Sequence, residues 1–456
     1  MQFLSTLLGF LFGYFQYNGL YQGLSFAISA WLIYRILILS SEIFVFREFT
    51  LLLYALNYLI APSQTYLLAL DKIAYGMKIP PEVYFPLSFS GFICFALGMY
   101  TFKTQVFKAN FAHIIKVSVI NENFLKGLTL ITLFLPFAVK FVSPDLAFVF
   151  ILFSSLRFVS AYMLTTISIG KNWIYLALVM GFEMASAFTA GMFHDFLMWM
   201  IFMALFFMYV FKPNGVWKVL GISLGIILIL VIQSIKGSYR EKAWTGEASA
   251  GLQTAYNVAS DKVNSGAVFS EDNYLGTLNR ANQAWIFAST VDNMDRNQNF
   301  QGLTNVNKYM EAALLPRFLA PNKITSGNRD IFNAFSGHEI GAGTAMGLGV
   351  FADGYIAYGW WGVSLFGFVL GLIFSLTFKI VERWSKISPI FALLILPLLN
   401  YAVRPDCELQ TTINHLAKGL LMYGFLVTLT KYQFNLESKS KQFKLLHLKL
   451  GNEIAR

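Results

Sequence analysis

Apolar residues run along this chain in blocks of about 16–25, broken by short polar stretches, until one polar segment at 236–345 interrupts the series. The blocks fall at 3–18, 22–40, 44–62, 84–102, 125–143, 146–165, 172–191, 194–211, 216–235, 354–378, 388–403 and 411–430. An α-helix rises about 1.5 Å per residue, so roughly 20 apolar residues match the hydrocarbon core of a bilayer. The pattern predicts 11 or 12 transmembrane helices. The first block is the weakest, because Gly9, Gly13, Gln16 and Asn18 dilute it.

The polar segment has its own periodicity. Stretches 247–263, 271–294 and 303–314 carry apolar residues at helical spacing (Leu252, Tyr256 and Val263; Leu278, Ala281, Trp285 and Ala288; Val306, Met310 and Ala313), and Pro316 ends the last. A polar backbone of this length cannot face lipid, so it is expected to fold as a helical cap over the bundle. Between Glu339 and Asp353 lie 13 uncharged, glycine-rich residues. They are too few to span and suit a re-entrant or interfacial piece, with Tyr355, Tyr358, Trp360 and Trp361 at headgroup level.

Composition excludes whole classes of function. The 456 residues are 56% hydrophobic and 13% charged, where a soluble domain carries about 25% charged residues. A soluble enzyme, a nucleic-acid-binding protein and a disordered scaffold are set aside. The fold class expected is all-α: a polytopic integral membrane protein with one large helical extracytoplasmic loop. Cys94 and Cys407 give neither a disulfide framework nor zinc spacing. The first basic residue is Arg35, so no cleaved signal peptide is expected. No internal repeat stands out.

The distribution of the +10 charge fixes an orientation. With the C-terminal tail cytoplasmic, inside loops hold Arg47; Lys103, Lys108 and Lys116; Lys171; Lys212 and Lys218; Lys379, Arg383 and Lys386. The short outside loops hold only Lys72, Lys78, Lys140 and Arg404. Both termini are then cytoplasmic and 236–345 lies outside. The chain divides into nine spans (1–235), the cap (236–345), a re-entrant segment with the last three spans (346–430), and a basic cytoplasmic tail (431–456). The inside loop 103–124, with Phe102, Val106, Phe107, Phe111 and Ile114 among basic residues, fits the membrane surface. Arg157 and Glu183 sit mid-span on consecutive antiparallel helices at depths differing by roughly 4–5 Å, so they can pair.

Several cations of the outer segments occur in apolar or stiffened settings. Arg280 lies near Leu278 and Trp285, Arg317 and Lys323 lie between and after Pro316 and Pro321, Arg240 follows the ninth span, and Arg404 precedes Pro405. Guanidinium groups present a fork of donors that fits phosphate oxygens. No Asp-X-Asp occurs; Asp406-Cys407-Glu408 comes nearest, so neither a metal nor a cofactor is expected.

Arg280-Ala-Asn-Gln, Leu315-Pro316-Arg317-Phe318 with Pro321 and Lys323, and Gly354-Tyr355 with Tyr358-Gly359 resemble the Wzy-type O-antigen and exopolysaccharide repeat-unit polymerases. The topology is similar along the whole chain, and the residue likeness covers 280–362. The resemblance implies a GT-C-like glycosyltransferase of the bacterial inner membrane. Such an enzyme moves a glycan from undecaprenyl pyrophosphate onto another lipid-linked repeat unit. Its implied partners are undecaprenyl-pyrophosphate-linked glycans, membrane lipid and a chain-length regulator, with no nucleic acid. The family's functional arginines would correspond to Arg280 and Arg317, joined by Arg240 and Arg404, with Lys323 alongside. For the base that takes the acceptor hydroxyl's proton, the candidates are His338, Glu339 and Asp353.

Two departures stand out. Where relatives carry a Ser-Arg-Gly-like element, this chain reads Ala-Gly-Met-Phe-His-Asp at 190–195, and Asp353 replaces a frequent Glu. An O-antigen ligase would use the same donor and another acceptor. A flippase or transporter would show repeated halves and several intramembrane charges.

Overall fold

The computed structural model describes residues 1–68, 76–108, 118–119, 121–142, 144–167, 170–244, 251–315, 319–325, 327–341 and 344–454. All regular structure among them is helical. In chain order the α-helices are α1 (Gln2–Tyr17), α2 (Leu20–Leu39), α3 (Phe46–Ala55), α4 (Ala61–Leu67), α5 (Pro81–Tyr100), α6 (Glu122–Ala138), α7 (Pro144–Ser154), α8 (Leu156–Ile167), α9 (Trp173–Ala190), α10 (His194–Phe211) and α11 (Gly215–Trp244). The cap contributes α12 (Leu252–Asn264), α13 (Glu271–Ala281), α14 (Ala284–Asn297), α15 (Thr304–Leu314) and α16 (Arg329–Ser336). Then follow α17 (Val350–Ser385), α18 (Ile395–Leu399) and α19 (Leu409–Ile454).

Eight helical stretches among the described residues are long and apolar enough to cross a membrane, against the 11 or 12 expected. The other four expected spans take different forms. The first, α1, has only 16 residues. The block at 44–62 is split into α3 and α4 by a π-turn, Leu56–Ile60. There the carbonyl of Tyr58 accepts from the Tyr84 hydroxyl (2.8 Å) and the Ser88 hydroxyl (3.0 Å), so an extra residue in the helix is satisfied by a neighbour. Around 388–403, a 3-10 stretch (Pro389–Leu394) leads into the short α18. The last block lies inside α19, which runs unbroken for 46 residues into the tail.

Between these helices the interior is aromatic and aliphatic, and the outward faces are apolar too. Ile131, Phe134, Leu224, Ile226, Leu421 and Phe425 are all exposed. A belt of this kind is compatible with a multi-pass membrane protein. Inside it, Arg157 and Glu183 form the expected ion pair (2.7 Å), with Arg157 buried and Glu183 partly so. Arg157 also donates to the Ser154 carbonyl (3.0 Å) and lies over the rings of Phe158 and Phe182.

The most extensive helix pairing joins α5 and α17. A Cβ added at Gly98 would run into the Phe368 carbonyl, and one at Gly371 into the Phe95 carbonyl. Backbone therefore meets backbone along this seam, the close approach that small residues permit between helices.

Its cap end is not one straight helix. Tyr358 (φ −142°, ψ 23°) and Gly359 (φ 60°, ψ −139°) break α17 into Val350–Ala357 and a long arm from Trp360. A Cβ on Gly354 or Gly362 would strike the other's carbonyl. In a continuous helix residues eight apart are about 12 Å apart, so here the chain doubles back at Tyr358–Gly359. The irregular stretch 344–349 reaches inward to Tyr58 and to the 405–406 backbone. The short arm then climbs to the cap, where Gln301 and Gly302 N–H groups donate to the Ile356 and Ala357 carbonyls.

The cap differs from expectation in three respects. Its first helix is the continuation of α11, which passes the expected boundary at 235 and ends at Trp244. The expected helix at 271–294 is two, because Asn282 turns its side chain on the local backbone: its Oδ1 accepts from the Ala284 N–H (3.0 Å) while its amide donates to Thr65 (2.8 Å). Helix α16, capped by the Asn328 side chain, was not anticipated. Of the surface stretch expected at 103–124, residues 109–117 and 120 lie outside the described residues, and Val106–Lys108 form a 3-10 turn.

Candidate functional site

The continuation of α11 carries Gln233, Lys236 and Arg240 at spacings of three and four, hence on one face. Arg240 Nε donates to the carbonyl of Gly191 (2.8 Å), the left-handed residue (φ 64°) that ends α9. The neighbouring Tyr239 hydroxyl donates to the Phe188 carbonyl. Two adjacent side chains of α11 thus pin the turn that opens α10, whose first residues are His194 and Asp195.

A second loop closes on the same place. Tyr401 donates to Asp195 Oδ2 (3.0 Å), and Arg404 Nη1 lies 3.5 Å from Asp195 Oδ1. Arg404 also donates to both Asp406 oxygens, through Nε (3.1 Å) and Nη2 (2.8 Å). Burial opposes the charge on Arg404, but Asp406 and Asp195 outweigh it and hold the guanidinium above its ordinary range. Burial likewise opposes the Asp406 carboxylate, and Arg404 holds it below the usual range. This pair is committed to itself.

From the cap comes Arg280, exposed in the last turn of α13. Lys236 lies within electrostatic range of Arg280, Arg240 and Arg404, and Arg240 within range of Arg280. His194 feels Arg404, Lys236, Asp406 and Asp195. Lys236, Arg240, Arg280 and Arg404 thus lie near one another, and Arg404 pairs with both Asp195 and Asp406. Beside them Gln233 Oε1, Asn279 Oδ1 and Gln283 Oε1 are buried without a hydrogen-bond partner among the described residues. A dianionic group would be attracted here, and hydroxyl donors would satisfy the carboxamide oxygens.

Three of the five cations singled out by sequence, Arg240, Arg280 and Arg404, thus come together. Arg317 lies outside the described residues. Lys323 donates to the Leu315 carbonyl (2.5 Å) and ties its own loop. His338 pairs with Ser289 Oγ (3.0 Å) and packs edge-on to Trp285. Burial, then the charge of Lys78, lowers the pKa of His338. Glu339 is exposed. Asp353 is buried: Oδ1 accepts from the Tyr309 hydroxyl (3.1 Å) and Oδ2 from the Leu409 N–H (3.0 Å), joining α15, α17 and α19. Sequence reasoning passed over Lys236 and His194. The signal for Lys236 was its spacing of four from Arg240; that for His194 was the departure at 190–195.

Residues 20–385 match the model of a family described as a domain of unknown function, DUF8712. The chain belongs to the DUF8712 family. No curated protein and no solved structure matches it. The DUF8712 segment contains His194, Asp195, Lys236, Arg240 and Arg280, whereas the Arg404–Asp406 loop follows it.

Proposed function

We propose that this chain is a multi-pass membrane glycosyltransferase of the bacterial inner membrane, with a GT-C-like architecture and the cap outside the cytoplasm. It polymerises oligosaccharide repeat units carried on undecaprenyl pyrophosphate. The observation that carries this reading is the meeting of Lys236, Arg240 and Arg280, from two separate elements, beside exposed His194. Pyrophosphate is already a good leaving group. The protein's task is to neutralise it as charge develops, which fixed cations at the end of an apolar bundle accomplish. The partnerless carboxamides of Gln233, Asn279 and Gln283 supply acceptors for sugar hydroxyls. The sequence resemblance to repeat-unit polymerases supports the same donor.

The test uses full-length protein in native membranes, given lipid-linked repeat units extracted from a strain lacking the protein. Wild type should build a ladder of repeat lengths. Charge-assisted hydrogen bonds contribute about 1.5–3 kcal/mol each, so Arg240→Ala and Arg280→Ala should each slow elongation by roughly 10- to 100-fold. Wild-type ladders from both would remove the assignment. A single transferred chain without a ladder would identify a ligase instead.

A further inference from the structure

We infer that Arg47 centres a phosphate-binding site at the end of the bundle opposite the cap, a reading independent of the glycosyltransferase assignment. Arg47 is the second residue of α3, and the cap meets the far end of the same path at Thr65, to which Asn282 donates (2.8 Å). Its guanidinium carbon lies 4.6 Å from the Tyr100 ring centre, 5.4 Å from that of Phe107 and 5.5 Å from that of Phe378. The three rings belong to the end of α5, the 3-10 turn Val106–Lys108 and α17. Hydrogen bonds hold these segments together. Phe44 N–H donates to the Phe107 carbonyl (2.8 Å), Phe102 N–H to the Ser375 hydroxyl (3.0 Å), and the Lys379 ammonium to the Lys103 carbonyl (3.1 Å).

Ring faces attract a cation but offer its N–H groups no strong acceptor. Arg47 Nε and Nη2 are buried without a hydrogen-bond partner, and a desolvated charge in that state is costly. The carboxylates of this end are engaged elsewhere or stand apart. Glu48, buried beside Arg47 in sequence, pairs with Arg35 (2.8 Å), and Glu382 pairs with Lys379 (3.1 Å). Glu42 is exposed and forms no ion pair among the described residues.

Arg47 as a whole is half-buried, and its guanidinium reaches the surface at the remaining nitrogen, Nη1. Nη1 and Nη2 form one edge of the fork, whose spacing matches two oxygens of a phosphate. Leu97 and Phe102 near Tyr100, and Leu376 near Phe378, are exposed apolar residues. Hydrocarbon chains covering those residues would bring their headgroups to the level of Nη1. The occupant is thus the phosphate of an anionic lipid.

The experiment uses full-length protein in mild detergent, stripped of lipid and titrated with phosphatidylglycerol, phosphatidylcholine or inorganic phosphate. Native mass spectrometry reads binding, and thermal melts read stabilisation. Wild type should take up phosphatidylglycerol in preference to phosphatidylcholine and melt higher with it. Arg47→Gln should weaken that binding roughly 10- to 100-fold. Arg47→Lys, which keeps the charge without the fork, should lose less. Lys103→Gln removes an exposed cation of the same end and should change affinity by less than about twofold. Equal stabilisation by inorganic phosphate, lost again in Arg47→Gln, keeps the site and makes free phosphate its occupant. Wild-type affinity in Arg47→Gln, or an equal loss in Lys103→Gln, overturns the site. Should Arg47→Gln not fold, Arg47→Lys decides alone, and unchanged affinity there overturns it too.

Discussion

Arg404 and Arg280 are the same residue type in the same neighbourhood with different tasks. The Arg404 fork is spent on Asp406 and Asp195, so it shapes the loop, while Arg280 stands exposed toward Lys236 and Arg240. Lysine carries the charge without the two-edged geometry. Arg404→Lys should therefore lower the unfolding temperature, read by thermal melts in detergent. His338 makes a prediction with a sign. Its folded-state pKa lies below the ordinary imidazole value, so the unfolded chain binds more protons below about pH 6.5. The contribution of the neutral ring is present above that pH and is lost as the solution is acidified toward its folded pKa. Melts between pH 7 and 5 should show wild type losing stability that His338→Gln retains. At this scale the sequence revealed which residues were chemically unusual but not their partners. Asp353 looked available because the pattern cannot show that Tyr309 and the Leu409 N–H fill its oxygens.

Helices long in hydrophobic pattern were legible as elements; their interruptions were not. The π-turn at Leu56–Ile60 depends on hydroxyls from Tyr84 and Ser88, some thirty residues away. The split at Asn282 depends on Thr65, much farther. The uncharged glycine-rich run before Asp353 was expected to be a re-entrant or interfacial piece, but the reversal at Tyr358–Gly359 within α17 was not anticipated. The seam between α5 and α17 yields a paired test. Gly98→Leu and Gly371→Leu place a side chain against a carbonyl of the opposing helix and should leave little protein monodisperse in detergent. Gly221→Ala on α11 meets nothing within 4 Å and should be neutral or stabilising by up to about 1 kcal/mol. Gel filtration of the three variants distinguishes a packing seam from a general glycine effect.

For the molecule as a whole, composition sufficed to indicate an all-helical, apolar-surfaced bundle, and the charge of its loops gave a direction for it. Among the described residues fewer single helices than expected have the length and apolarity for a crossing, because an apolar block can be filled by α3 and α4 around a π-turn, or by a 3-10 stretch and α18. In the proposed orientation, a cysteine introduced at Ser260 in the cap reacts with an impermeant maleimide on intact cells. One at Ser385 reacts only after permeabilisation. The opposite pattern would put the cation cluster on the wrong side for an outer-leaflet donor.

The Arg157–Glu183 pair has a consequence for biogenesis. The two residues lie on consecutive helices, and an unpartnered charge at mid-bilayer costs about 2.5–3.5 kcal/mol to deliver. The segment with the arginine leaves the ribosome first, and its counter-ion follows on the next segment. Lateral release from the translocation channel is thus expected as a hairpin, the first helix waiting at the gate for the second. Synthesised with Glu183→Leu, the same nascent chain should stall there or slip back, a defect visible in insertion assays before any sugar chemistry begins.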